Sequence, residues 1–138
     1  MNVEEINRIL IEKQPDRFML GLFRQTNREL VVGFAFEGGE DEDNYFIVKF
    51  TQAVIFHVPS VLHGIDRDSI IFKIAPHKEA HKYIPSISFD EEEFGDKGYK
   101  IFLLNNSKNI KTGYYIAAEC VESEWATLEK GRKEYNLW

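Results

Sequence analysis

Four histidines, His57, His63, His77 and His81, are the side chains best suited to metal chemistry, and all fall between positions 57 and 81. Neutral imidazole is the commonest metal ligand. His77 and His81 would share a helical face if Pro76 opened a turn, leaving His57 or His63 as a third ligand with Glu79 or Asp66 nearby. Lys78 and Lys82 argue against this, because their charges repel a cation, and no zinc-type spacing is present. The expectation is no metal and no cofactor, with these four histidines as the candidates to check.

Carboxylates form the second chemical signal. Glu37, Glu40, Asp41, Glu42 and Asp43 make one acidic segment, and Asp90, Glu91, Glu92, Glu93 and Asp96 make another. Without these ten residues the formal charge of −6 would become +4, so the acidity is confined to two places. General acid–base work needs a carboxyl desolvated in a pocket, and both runs read as solvated loops without apolar cover. A calcium loop starting at Asp41 is broken by Tyr45 and Phe46.

Other catalytic patterns are missing. Cys120 follows Tyr114, Ile116 and Ala118 on the inward parity of a strand, where a thiol is a small unactivated filler. No serine lies in a Gly-x-Ser-x-Gly elbow, and no Gly-rich phosphate loop occurs. Lys97, Lys100, Lys108 and Lys111 accompany Tyr99 and Phe102 in a stretch that could follow a nucleic-acid backbone. Four cations in a chain of pI near 5.2 leave too weak a footprint for that. The chain reads as a non-enzyme.

What remains is a basic protein partner. Clustered carboxylates steer a cationic surface into contact, and adjacent aromatics anchor it. The expected contact residues are Glu40, Asp41, Glu42, Asp43, Tyr45, Asp90, Glu91, Glu92, Glu93 and Phe94. The mode is that of small acidic inhibitors of cationic enzymes, immunity proteins among them, by analogy of class alone. The other reading is a small-ligand carrier or an enzyme with a cavity in a curved sheet, lined by Gln52 and the clustered histidines.

The elements that must hold these residues are mostly strands. Val3, Ile6, Ile9 and Leu10 fall at helical spacing, which predicts an N-terminal helix closed by Pro15. Period-two alternation then takes over in 18–23 and 30–36, joined by a polar turn at 26–29. Tyr45 to Val58 reads as one long extended segment bent near residues 51–53 and ended by Pro59. Further strands are expected at 70–74, 87–89, 99–104 and 114–121, with Ser123 capping a short helix that Gly131 stops. Without helices alternating between strands, the expected fold is α+β and mostly β: an antiparallel sheet, sandwich or partly open barrel of about seven strands. Each strand should bury one face.

At 138 residues, 1–138 reads as a single domain with a core of its own. A lone cysteine and an N-terminus carrying Glu4 and Glu5 in place of a signal sequence predict the cytoplasm. No apolar run approaches the roughly 18 residues that a membrane span needs.

Overall fold

The computed structural model describes residues 3–36, 44–63, 72–84, 90–104 and 114–137. In chain order these form α1 (Val3–Lys13), β1 (Arg17–Arg24), β2 (Glu29–Ala35), β3 (Asn44–Thr51), β4 (Ile55–His57), β5 (Val61–His63), β6 (Phe72–Ala75), α2 (Ala80–Tyr83), α3 (Glu91–Asp96), β7 (Lys100–Leu104), β8 (Tyr114–Ala118), β9 (Cys120–Thr127) and α4 (Leu128–Tyr135). The expected strand at 87–89 lies outside the described residues.

Two antiparallel sheets result, ordered β5-β1-β2-β3-β9 and β4-β8-β7-β6. They are open sheets facing each other, so the fold is a mostly antiparallel sandwich and the barrel alternative falls away. The described residues hold nine strands where the pattern predicts about seven: β5 was not predicted, and two long extended segments each divide between the sheets. The first bends at Gln52, which takes a left-handed backbone (φ 55), and the second bends at Glu119. The corners lie side by side: Glu119 N–H donates to Thr51 O at 3.0 Å, and Val54 N–H donates to Ala117 O at 2.9 Å. The β3–β9 ribbon thus runs on as the β4–β8 ribbon.

The main core fills the space between the sheets. Phe18, Phe34 and Phe50 from the first sheet meet Phe72 and Phe102 from the second, with edge-on ring pairs at 5.2 to 6.0 Å. Such tilted arrangements suit the ring quadrupole and add to the area buried. From α1, Ile6 and Leu10 complete this core. Its Asn7 is buried at the β6 edge, where Nδ2 donates to Phe72 O at 2.6 Å and Oδ1 accepts from Phe72 N–H at 2.9 Å. One amide side chain stands in for a neighbouring strand, satisfying a donor and an acceptor that burial would otherwise penalise.

The expectation of one wet face per strand fails for the central strands. Val31, Ala35, Tyr45 and Ile47 form a second cluster on the outer face of the first sheet, roofed by Tyr135 and Leu137. Ile101 and Ala117 form a third on the outer face of the second sheet, under Ala80, Ile84 and Phe94. Short helices lie on both outer faces, which is why both parities of β2, β3, β7 and β8 are apolar. The C-terminal helix begins later than Ser123, which belongs to β9; Thr127 is the cap, its hydroxyl accepting from Lys130 N–H at 3.2 Å. Gly131 does not stop α4 but lies inside it, where any Cβ would overlap the Tyr45 ring.

Candidate functional site

The second acidic segment is a helix, where a solvated loop was expected. Asp90 takes an extended backbone and its carboxylate accepts from Glu92 N–H at 2.9 Å, capping α3. Glu91, Glu92 and Glu93 then occupy the first turn, where the helix dipole favours negative charge. At the other end Gly98 adopts φ 83, Gly98 N–H donates to Gly95 O at 3.0 Å, and Tyr99 N–H donates to Phe94 O at 3.3 Å. This is the Schellman closure, and the Phe94 and Tyr99 rings make its accompanying apolar contact at 5.3 Å. These signals, Asp at the cap, three acids and Gly-Tyr after the last turn, were all present in the sequence. The unbroken run of charge concealed them.

The closure turns Tyr99 back beside β4 and opens a cleft of about 330 Å³. Its floor is Val54, Ile55, Phe94 and Tyr99; Asp90, Glu93 and Lys97 stand at the rim. Lys97 Nζ pairs with Glu93 Oε1 at 3.0 Å, both side chains being 61% exposed. That hydrogen bond and the attraction of the Glu93 charge hold the Lys97 pKa above its ordinary value. Glu92 and Asp96 are exposed.

The sequence-predicted residues divide as follows. Asp90, Glu91, Glu92 and Glu93 come together on α3. Glu40, Asp41, Glu42 and Asp43 lie outside the described residues. Tyr45 and Phe94, expected as surface anchors, are core residues at 3% and 6% exposure, because Tyr45 fills the space left by Gly131 and Phe94 seals the outer face of the second sheet. Phe94 reaches the cleft only as part of its floor.

Of the histidines whose side chains are described, His57 is exposed and His77 is half-buried. The His57 ring lies near Tyr114 and Tyr115 at 5.8 and 6.0 Å, and His77 packs against Gly95, where a Cβ would come within 2.7 Å of its ring. The backbone of His63 ends β5 and that of His81 lies in α2. Among the described residues no group of three or more His, Cys, Asp or Glu side chains is placed to hold a metal ion. Gln52 serves as a corner residue. Cys120 is exposed, where an inward position was expected, because the corner at Glu119 shifts the strand parity by one.

A second polar cluster was not anticipated from the sequence. The Tyr135 hydroxyl donates to Glu124 Oε1, which also pairs with Lys49 Nζ at 3.3 Å and Lys130 Nζ at 3.4 Å. Lys49 Nζ lies 4.9 Å from the centre of the Tyr135 ring and Arg24 Cζ 5.6 Å, so cations flank its π-face. Burial disfavours the Glu124 charge, but the hydroxyl and the two ammonium groups outweigh it and hold the pKa below the ordinary value. Burial likewise opposes the Lys49 charge, and Tyr135 and Glu124 overcome it, raising the pKa. The Tyr135 pKa is raised by burial and by Glu124, with Lys49 opposing. Perturbed groups often mark active sites. Here the charges satisfy one another and fasten α4 to the first sheet, as an ion-pair network does. A more open groove of about 550 Å³ runs along α4 past Leu128 and Arg132, crossed by the Lys133–Glu129 pair at 2.7 Å.

Among the described residues no helix is long and apolar enough to cross a membrane. No family model, no curated protein and no solved structure matches this chain.

Proposed function

We propose that this chain is a non-enzymatic binding protein that engages a basic protein partner through its acidic segments, with α3 and the adjacent cleft as the docking surface. The observation that carries the reading is the pairing of negative charge with an apolar depression. Carboxylates of α3 border a floor of Val54, Ile55, Phe94 and Tyr99. Charge supplies steering and register, and apolar area supplies affinity. Glu40, Asp41, Glu42 and Asp43, outside the described residues, are the other contact residues of this reading.

A cleft of about 330 Å³ sits at the lower limit of small-molecule sites, roughly 300–1,000 Å³. Its size favours a protruding side chain over a carried ligand. The metal-dependent alternative draws no support from the described residues, where His77 packs against Gly95 and exposed His57 has no second and third ligand placed beside it.

The test is binding of poly-L-lysine to the full chain at low and high salt. We expect association that weakens as salt rises. Replacing Glu91, Glu92 and Glu93 by Gln and Asp96 by Asn should cost on the order of tenfold in affinity at low salt and flatten the salt dependence. No association at low salt, or equal affinity of the neutralised variant, would refute the reading.

A further inference from the structure

We infer that the α3 cleft is built to seat one lysine- or arginine-type side chain of the partner, in the place that Lys97 occupies in the unbound chain. This rests on the basic-partner reading above and makes it specific. Lys97 lines the cleft together with Tyr99 and Phe94, and its ammonium lies 3.0 Å from Glu93 Oε1. An apolar floor beside a carboxylate is what a long cationic side chain seeks: cover for the methylenes and a partner for the head group. Asp90, at the same rim, supplies a second negative charge within the depression. An arginine could address both carboxylates where a lysine addresses one.

Lys97 is the cation easiest to displace. It is 61% exposed, and its pair with Glu93 spans one helical turn in solvent, the class of ion pair that contributes least to stability. The local ammonium therefore acts as a weak internal competitor. It shields Glu93 while the cleft is empty and yields to a ligand that brings both a positive head group and apolar neighbours.

The experiment is an NMR titration of the full chain with an acetylated, amidated Leu-Arg-Leu-Arg peptide and its Leu-Glu-Leu-Glu counterpart. The arginine peptide should shift the amides of Ile55, Phe94, Lys97 and Tyr99, and the glutamate peptide should leave them unmoved. Lys97→Met keeps the apolar stem and removes the competing charge, so it should tighten the arginine peptide roughly twofold or more, in line with the weakness of such helical pairs. Lys97→Gln should do the same, and Glu93→Gln should weaken binding by a comparable factor. If the arginine peptide shifts these amides while both Lys97 variants bind no more tightly, the seat is overturned and the basic-partner reading stands. If poly-L-lysine binds but the arginine peptide leaves the cleft amides unmoved, the cleft is not the seat. Absence of binding by either cationic probe removes both proposals.

Discussion

Glu124 receives the Tyr135 hydroxyl and two ammonium groups. Its folded pKa lies below its unfolded value, so its contribution to stability is complete above the unfolded value and is lost as pH falls through the folded one. Lys49 and Tyr135 shift the other way, and their contributions are complete below their ordinary values, near about 10, and are lost as pH rises through the raised ones. Glu124→Gln should therefore cost about 1–2 kcal/mol near neutral pH, where all three partners are in their paired states. Urea midpoints of the two proteins should differ most across the neutral range and converge at the acid and alkaline ends. A difference that stays constant with pH would show that the variant acts through packing alone.

Among the elements, α4 depends on a residue that ordinarily weakens helices. Replacing glycine by alanine inside a helix usually gains about 0.5–1 kcal/mol, from lower backbone entropy in the unfolded chain. At Gly131 the added Cβ would overlap the Tyr45 ring, which is itself held beneath α4 with Leu137. Overpacking of that kind costs about 1–3 kcal/mol, so the steric loss exceeds the propensity gain. Gly131→Ala is expected to lower stability in urea denaturation, and an increase would mean that α4 lies farther from β3. Gly33 obeys the same logic on β2, where a Cβ would come within 2.6 Å of Leu137 Cδ1. The C-terminal helix and its tail thus reach the sheet through paired absences of side chain.

For the molecule as a whole, the two sheets are joined by the bent ribbon at Gln52 and Glu119 and closed at the β6 edge by α1. Asn7 is the polar fastening of that closure. Truncation to alanine would orphan both the N–H and the carbonyl of Phe72 in a buried site, at a cost of about 2–4 kcal/mol. Because Phe72 belongs to the central aromatic network, the loss should be felt globally: a lower urea midpoint with an unchanged denaturant slope. Local fraying of α1 with the midpoint retained would show that the helix is peripheral to the cooperative unit. The third cluster, on the outer face of the second sheet, explains why helices as short as α2 and α3 persist. They contribute little on their own and are held by the apolar faces on which they lie.

Alternation and spacing were enough to specify the N-terminal helix, the mostly antiparallel strands and the bend near residue 52, because period and turn chemistry are local properties of the chain, while the choice among sheet, sandwich and partly open barrel was left to the fold. Three features required the assembled fold. Strand parity past Glu119 depends on how two corners pair, so the inward position expected for Cys120 became an exposed one. Cover on the outer faces comes from helices distant in sequence, so Tyr45 and Phe94 read as available aromatics while they are buried. The role of Lys97 depends on which strand lies under α3, and no spacing within the acidic run encodes that contact. Local periodicity sets which way a side chain can face; the long-range packing of sheets and helices sets what it meets there.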